Sequence, residues 1–371
     1  RIGPNGRRFR GCYARGCCGG GGLAGRSRLR RLMKAAVLGA GSWGTTFAQV
    51  LCDAGTDTVL YARKPQLAKA ITGLHENPDY LPGIALTPAL DATSDPAEAL
   101  DGADLVAFAV PAQSLRSNLL EWAPLLPRGA LLVSLMKGIE LGSRLRMSEV
   151  IAEVTGPELA GPAAERIAVV AGPNLAGEIV RREFTASVVA CVAEEGALAL
   201  QGACHTPYFR PYTNTDVTGC ELGGAVKNVI AIAVGIAVAM GLGDNTRATL
   251  ITRGLAEIAR LGSALGAQNQ TFAGLAGMGD LVATCSSPLS RNRTFGEYLG
   301  RGMTVAAASA AMNQTAEGVA SSGPVLELAR AHQVEMPITE VVEAVMRDGL
   351  PVTQAASMLA SRSAKPEWYG P

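Results

Sequence analysis

A glycine-rich turn near residue 40 constrains the fold of this chain more than any other feature. The segment Gly39-Ala-Gly41-Ser-Trp-Gly44 directly follows an apolar run at 35–38 and opens a stretch with helical spacing, after which another β-branched run begins. This is the strand–turn–helix context that the glycine pattern requires. Gly39 would permit the tight turn, Gly41 the approach of a ligand to the backbone, and Gly44 close helix–strand packing. The pattern predicts a dinucleotide site with the pyrophosphate at a helix N-terminus; a tight turn without ligand is the alternative.

Hydrophobic periodicity divides the remaining chain into two parts. Short β-branched runs at 35–38, 58–61, 105–110, 130–135, 167–171 and 187–191 alternate with helical spacing at 45–53, 65–73, 114–123 and 145–154. Such alternation indicates a mostly parallel, doubly wound sheet with right-handed crossovers. After residue 215 strand signals almost vanish, and Asp216 or Thr218 could cap a long apolar helix. We therefore expect an α/β Rossmann-type dinucleotide-binding domain at 33–215 and an all-α substrate domain at 216–371, with the site between them.

The first 32 residues differ in composition from everything that follows. They hold nine arginines and no acidic residue; removing those nine from the 33 basic residues of the chain leaves 24 basic against 32 acidic. The rest of the chain therefore has a net charge of −8, which argues against nucleic acid as a partner. Because Met33 immediately precedes the first strand, we interpret 1–32 as a leader that is non-native or disordered. An Arg-rich transit peptide or a basic arm that touches nucleic acid are the alternatives.

Cysteine and histidine usage indicates neither a metal site nor a disulfide framework. Five cysteines follow the leader, at positions 52, 191, 204, 220 and 285, without a C-x-x-C pair, and the chain has only three histidines. Buried thiols in a reducing cytoplasm fit this usage. The longest uncharged apolar stretch, 229–242, is too short to span a bilayer and is expected to be a buried core helix without membrane insertion.

The end of the second predicted strand bears on the choice of dinucleotide. An acidic residue there would bind the ribose 2′-hydroxyl of NAD, but the chain reads Leu60-Tyr-Ala-Arg63-Lys64. Arg63 and Lys64 could bind a 2′-phosphate. This favours NADP(H) and leaves NAD(H) open, while two solvated basic residues at a strand end are the alternative.

Four further segments concentrate polar residues, two directly after predicted strands and two on predicted helices. They are Met136-Lys137-Gly138, Gly172-Pro-Asn174-Leu-Ala176-Gly-Glu178, Leu222-Gly-Gly-Ala-Val-Lys227-Asn228 and Gly277-Met-Gly-Asp280-Leu-Val-Ala-Thr-Cys285, the last followed by Ser290-Arg291-Asn292. Open α/β sheets bind ligands at the carboxyl ends of their strands. The first two segments are therefore candidates for the sheet side of a site.

Lys227 is the strongest catalytic candidate in these segments. A single lysine on an otherwise apolar helix is rarely accidental, and partial burial would lower its pKa enough for general acid catalysis near neutral pH. Asp280 is the candidate that would orient it. The alternatives are a lysine whose stem covers an apolar wall, a helix cap at Asp280, and a solvated helix residue at Arg291.

The motifs, taken in order, resemble one family. GAGSWGTTFA (39–48), NPDYLPG (77–83), LMKGIE (135–140), AGPNLAGE (171–178), ELGGAVKNVIAI (221–232), GLAGMGDLVATC (274–285), SRNRTFG (290–296) and VEMPITE (334–340) span nearly all of the chain after the leader. From Met33 onward the chain resembles bacterial-type NAD(P)-dependent glycerol-3-phosphate dehydrogenase.

The resemblance implies a reaction and a set of roles. Dihydroxyacetone phosphate would be reduced at C2 to sn-glycerol 3-phosphate for glycerophospholipid synthesis. The resemblance also implies that the protein is a homodimer. Lys227 would be the proton donor and Asp280 its partner. Substrate contacts would be made by Lys137, Gly172, Asn174, Lys227, Asp280, Ser290, Arg291 and Asn292. Cofactor contacts would be made by Gly39, Gly41, Ser42, Trp43, Gly44, Arg63, Lys64, Lys137, Ala176, Arg291, Thr315 and Glu317.

Two positions depart from the family pattern. Asn174 stands where the family has Ser or Thr, and its amide could still donate to a phosphate or hydroxyl oxygen. Thr315-Ala316-Glu317 replaces a pair of β-branched apolar residues before the glutamate. Two other functions compete with the implied one: a reductase of another small 2-keto or 3-hydroxy acid, and a catalytically silent NADP(H) sensor.

Overall fold

The strands of this protein all lie before residue 215 in the part of the chain that the structure describes. That part, in a computed structural model, is residues 33–156, 162–312 and 316–363. The strands are β1 Lys34–Leu38, β2 Asp57–Tyr61, β3 Glu76–Asn77, β4 Leu81–Ala85, β5 Asp91–Thr93, β6 Leu105–Phe108, β7 Leu131–Ser134, β8 Ile167–Ala171, β9 Thr185–Cys191 and β10 Phe209–Asn214. The predicted leader 1–32 lies outside the described residues.

Eight strands form one sheet, in the order β10-β9-β8-β7-β6-β1-β2-β5, and β3 and β4 form a separate hairpin. All neighbours from β5 to β8 are parallel, whereas β9 runs antiparallel to β8 and pairs in parallel with β10. The chain winds outward from β1 in both directions, so the strand order reverses between β1 and β6, where such sheets bind ligands. The predicted doubly wound, mostly parallel sheet is confirmed; β5, β10 and the hairpin were not predicted.

Two layers of helices cover the sheet. Alternate residues of β1 point to opposite layers: Ala35 and Val37 belong to one buried cluster, Ala36 and Leu38 to the other. Strands covered on both faces are apolar in nearly continuous runs, as residues 35–38 of β1 are. The helices of this part are α1 Ser42–Asp53, α2 Pro65–Leu74, α3 Pro96–Leu100, α4 Leu115–Trp122, α5 Met147–Thr155, α6 Ala176–Ile179 and α7 Glu194–Cys204.

Helices alone follow β10 in the described residues. They are α8 Val217–Ala239, α9 Asp244–Ala264, α10 Asn269–Ala273, α11 Asp280–Ser286, α12 Arg291–Gly300, α13 Val305–Ala310, α14 Glu317–Ala331, α15 Pro337–Arg347 and α16 Val352–Ala360. Asp216 caps α8, its Oδ1 accepting a 2.8 Å hydrogen bond from the Gly219 amide. The expected change from α/β to all-helical structure is therefore present.

Helix α8 is the centre of the helical part. Its 23 residues, with a mean hydropathy of 1.9 in the most apolar window, would be long and apolar enough to cross a membrane, but 89% of that window is buried inside the protein. The predicted buried core helix is thus confirmed, although it begins well before the uncharged stretch 229–242 from which it was predicted. At its start, Val217 and Cys220 pack with Val169 and Val188 of the sheet, which joins the two parts of the protein.

Glycines set the distance between α8 and α12. A Cβ added at Gly235 would lie 2.1 Å from the Arg293 carbonyl oxygen, and one at Gly296 would lie 2.1 Å from the Ile232 carbonyl oxygen. The two backbones are therefore in direct contact on both sides of the crossing. Because backbone atoms cannot rotate away as a side chain can, no larger residue fits at either position.

We expect Gly296→Ala to lower the free energy of unfolding by about 3 kcal/mol, because the new methyl group must separate α12 from α8. The matched control is Gly202→Ala on α7, where an added Cβ has open space and should stabilise the helix by about 0.5–1 kcal/mol. Urea denaturation of both variants measures the two effects. Equal stability of Gly296→Ala and the unsubstituted protein would show that the crossing tolerates expansion.

Candidate active site

Two lysines and one aspartate form a buried ionic cluster where the sheet meets the helices. Lys227 lies in the middle of α8 and is 5% exposed, and Asp280, the first residue of α11, is 1% exposed. The Lys227 ammonium donates to Asp280 Oδ1 and, over 2.5 Å, to Thr284 Oγ1. The ammonium of Lys137 donates to Asp280 Oδ2 over 2.7 Å and to the Gly172 carbonyl over 2.9 Å. One carboxylate therefore holds two lysines from different parts of the chain.

Local backbone features place these groups. A π-helical turn, Leu275–Gly279, ends immediately before Asp280, and π-turns occur frequently at functional sites. This turn lies against α8 at Gly223, where an added Cβ would be 2.5 Å from the Ala276 carbonyl oxygen. Gly223 is one helical turn before Lys227, so the same close approach brings Asp280 to the lysine.

Burial and charge shift the pKa values in this cluster. The pKa of Lys227 is lowered to about 8, mainly by desolvation; the charge of Asp280 opposes the shift and that of Lys137 adds to it. Burial raises the pKa of Glu317, at the start of α14, and the positive charges of Arg291, Lys137 and Lys227 oppose that rise. Lys227 can therefore exchange a proton near neutral pH while it remains beside a carboxylate.

Two residues close in sequence to the groups of the cluster carry a polar atom without a partner. Asn228 Nδ2 and Asn174 Oδ1 are buried and have no hydrogen-bond partner. The other ends of these amides are engaged, since Asn228 Oδ1 accepts from Asn292 Nδ2 over 2.9 Å and Asn174 Nδ2 donates to the Ala171 carbonyl over 3.2 Å. Buried polar groups rarely stay unsatisfied, so these atoms fit a polar ligand. At Asn174 the unengaged atom is the acceptor, whereas the sequence prediction used the donor.

The expected phosphate contacts lie at the start of α12. Ser290 caps this helix, its Oγ accepting from the Arg293 amide over 3.3 Å, and Arg291 is its exposed first residue. The Asn292 amide is engaged at both ends, because its Oδ1 also accepts from the Gly318 amide over 2.9 Å. In this arrangement Asn292 holds Asn228 and the start of α14, while Ser290 and Arg291 lie at the N-terminus of α12.

The glycine turn fits the dinucleotide roles expected for it. Gly39 has φ +124°, and an added Cβ there would lie 2.5 Å from the Ala109 carbonyl oxygen; at Gly44 it would lie 1.9 Å from the Gly39 carbonyl oxygen. At Gly41 it would meet nothing within 4 Å, so this position faces open space. The Trp43 indole Nε1 next to it is buried and without a partner. Two glycines thus serve packing and the third leaves room for a ligand.

The other expected cofactor residues are spread along the carboxyl edge of the sheet. Arg63 is exposed just beyond β2, whereas the Lys64 ammonium is paired with Asp79 over 2.8 Å. Ala176 begins α6, and its carbonyl accepts from Thr46 Oγ1 of α1 over 3.3 Å. Thr315 lies outside the described residues.

Sequence reasoning missed two polar residues beside the cluster: Thr284, which accepts from Lys227, and Asn228, which accepts from Asn292. Thr284 follows Asp280 by four residues on α11, a spacing that places both side chains on one helix face. Asn228 directly follows Lys227. Helical spacing could have identified the first, but nothing in the sequence predicts that Asn292 turns the amide of Asn228.

A doubly wound sheet with a glycine turn at its switch point, joined to helices that bury a lysine–aspartate pair, defines a nucleotide-dependent dehydrogenase. Residues 34–197 match the family model for the N-terminus of NAD-dependent glycerol-3-phosphate dehydrogenase, and residues 216–357 match the model for its C-terminus. The chain belongs to this family.

Similar proteins align with most of this chain and with nearly all of their own length. Glycerol-3-phosphate dehydrogenase [NAD(P)+] of Thermobifida fusca is 64% identical over 346 residues, which are 91% of this chain and 100% of that protein. The Streptomyces avermitilis protein of the same name is 62% identical over 90% of this chain and 98% of its own length. The crystal structure of glycerol-3-phosphate dehydrogenase from Coxiella burnetii has a TM-score of 0.83 and 35% identity, over 89% of this chain and 99% of that one.

No group of three or more His, Cys, Asp or Glu side chains is arranged to hold a metal ion within the described residues. All five cysteines of this part are free thiols, of which only Cys52 is not fully buried.

Proposed function

We propose that this protein reduces dihydroxyacetone phosphate to sn-glycerol 3-phosphate, the precursor that glycerophospholipid synthesis requires. One observation carries the proposal: a lysine with a pKa of about 8 is buried beside an aspartate that a second lysine also contacts. A ketone that is reduced needs a proton at its oxygen and positive charge while negative charge develops there. This cluster offers both.

Each residue of the cluster has a distinct task. Lys227 donates the proton to the carbonyl oxygen of the substrate and would accept it back from the hydroxyl in the oxidative direction. Asp280 fixes the position of Lys227, and Lys137 adds the second positive charge. The first turn of α12, with Ser290 and Arg291, binds the substrate phosphate, because helix N-termini and guanidinium groups favour phosphate. Gly172, Asn174 and Asn292 complete the substrate side.

The cofactor we propose is NADP(H), with NAD(H) as the second candidate, held by the glycine turn, Trp43, Ala176 and Glu317. When bound, the nicotinamide supplies the hydride that C2 of the substrate receives. Arg63 is the residue that would bind a 2′-phosphate. Lys64 contributes less than the sequence suggests, because Asp79 already neutralises its charge. No metal takes part in this proposal.

Three broader proposals accompany the reaction. The chain divides at residue 215 into a nucleotide-binding domain, 33–215, and a substrate domain, 216–371, in line with the limits of the two family matches. The protein acts as a homodimer, as the family resemblance implies. It works in the cytoplasm, where its free thiols would stay reduced.

Loss of reduced-nicotinamide absorbance tests the reaction. We expect rapid oxidation of NADPH with dihydroxyacetone phosphate and negligible oxidation with unphosphorylated dihydroxyacetone, because the phosphate provides much of the binding energy. Equal rates with both compounds would favour a reductase of another small keto compound. Folded protein that binds the nucleotide but oxidises none with either compound would favour the silent sensor.

Substitution of Lys227 tests the proton transfer. Lys227→Ala should bind NADPH normally and lose about 10²- to 10⁴-fold in turnover, the range for a positioned acid. In the unsubstituted protein, kcat/KM for reduction should fall as pH rises above 8, because Lys227 is then deprotonated. That decline should be absent from Lys227→Ala. Exposed Lys69→Ala on α2 is the control and should keep the original profile.

Substitution of Arg63 tests the cofactor choice. Arg63→Ala removes a guanidinium from the 2′-phosphate but nothing from a 2′-hydroxyl, so Kd for NADPH should rise about tenfold or more while Kd for NADH changes little. Fluorescence titration of both nucleotides gives the two constants. Equal weakening of both nucleotides would mean that Arg63 does not read the 2′-phosphate.

A further inference from the structure

The β3–β4 hairpin contacts the glycine turn through a completely buried asparagine. Asn77, the last residue of β3, is 0% exposed. Its Nδ2 donates to the Ala40 carbonyl over 3.0 Å and to Thr45 Oγ1 over 2.8 Å, and its Oδ1 accepts from the Tyr80 amide over 3.1 Å. Ala40 precedes Gly41 in the turn and Thr45 lies in the first turn of α1. The Asn77 side chain thus restrains both the backbone before Gly41 and the first turn of α1 after it.

A second contact joins the hairpin to the same turn. Ser42 Oγ donates to the Tyr80 carbonyl over 3.2 Å. The hairpin itself is fixed to the body of the protein, because Leu81 packs in the buried cluster beneath α1 and α2 and the Leu86 amide donates to the His75 carbonyl over 2.8 Å. The restraint on the turn therefore comes from a rigid element rather than from a loose loop.

The turn needs such a restraint. Glycines give a backbone many accessible conformations, and ordering them on binding reduces affinity. At the start of α1, Gly41 is in the capping position and, lacking a side chain, makes no capping hydrogen bond to the helix. Amide groups at a helix N-terminus can bind an anion, and they do so best when their direction is fixed beforehand. Asn77 supplies the fixed points from outside, at Ala40 and Thr45.

We propose that Asn77 is a positioning residue for the cofactor: it holds the 39–45 turn in the conformation that receives the pyrophosphate. The inference rests on the proposed function only in that the ligand is a nicotinamide dinucleotide. Since the pyrophosphate is common to NADPH and NADH, the effect of Asn77 must be the same for both. Asn77 has no contact with the Lys227 cluster, so proton transfer should proceed as before once the cofactor is bound.

Titration of the intact protein by nucleotide fluorescence tests the role. Asn77→Ala should raise Kd for NADPH and for NADH by the same factor of about ten, because three hydrogen bonds, two of them buried, are lost. At saturating cofactor, kcat and the KM for dihydroxyacetone phosphate should change less than about twofold. The matched control is Asn118→Ala on α4, whose amide donates to the Ser114 carbonyl and which should keep both Kd values.

A milder variant covers the case in which Asn77→Ala fails to fold. Thr45→Val is nearly isosteric and removes only one partner of Asn77; it should raise both Kd values about two- to threefold. Unchanged Kd for both nucleotides in folded Asn77→Ala, or in Thr45→Val where the first variant is unfolded, would overturn the positioning role. Failure of the unsubstituted protein to reduce dihydroxyacetone phosphate, with nucleotide binding intact and weakened in Asn77→Ala, would instead overturn the proposed reaction and support the positioning role.

Discussion

The pairing of a buried ammonium with a buried carboxylate is the interaction on which the rest of the helical part depends. A charged lysine inside an apolar helix cluster is strongly unfavourable unless a counter-charge lies beside it. Asp280 provides this charge to Lys227, and the same carboxylate also fixes Lys137 from the sheet side. Removing one partner of such a pair typically destabilises a protein by about 3–5 kcal/mol. The pair thus restricts which relative positions of sheet and helices are stable.

The glycines of α8 follow from this requirement. Asp280 can reach Lys227 only if the π-turn before it lies directly on α8, and Gly223 removes the side chain that would prevent this approach. Gly224 does the same for the stem of Lys137, whose Cγ would lie 3.2 Å from an added Cβ. Farther along, Gly235 brings α12 onto the helix. This apolar helix rich in small residues is therefore a surface on which several backbones converge.

Sequence reasoning predicted most of the fold because the elements are strongly periodic. The six predicted strands and the central helix are all present, and Lys227 pairs with Asp280, the residue expected to orient it. The edge strand β10 was missed because it contains Pro211 and alternates with exposed polar residues. The antiparallel direction of β9 has no local signal, since both faces of a covered strand are apolar in either direction. The direction and register of a strand are set by its packing against other elements, and hydrophobic periodicity carries no information about that packing.

The contacts of polar side chains were the second feature that the sequence could not predict. The sequence analysis considered Lys64 as a ligand of a 2′-phosphate. Its pairing with Asp79 could not be foreseen, because it depends on a hairpin that no sequence pattern predicted. Asn77 lies in the NPDYLPG motif, which entered only the family resemblance. An asparagine between a predicted helix and a proline is typical of a turn, so nothing in the sequence indicated a buried contact there. Both cases concern polar residues in irregular segments. Their partners are distant in sequence, so helical or strand spacing carries no information about them.

The electrostatics of the site resolve an apparent conflict between the composition and an anionic substrate. The chain after the leader has a net charge of −8, which would repel a phosphate ester at long range, although salt screens that repulsion beyond about 8 Å at physiological ionic strength. Within the site, two lysines share one aspartate, so an excess of positive charge remains where screening by water is weak. Burial lowers the pKa of Lys227 to about 8, and a negative charge brought near it by a substrate would raise that pKa again. In the proposed reaction, binding of a phosphorylated substrate would therefore favour the protonated lysine that donates to the carbonyl oxygen.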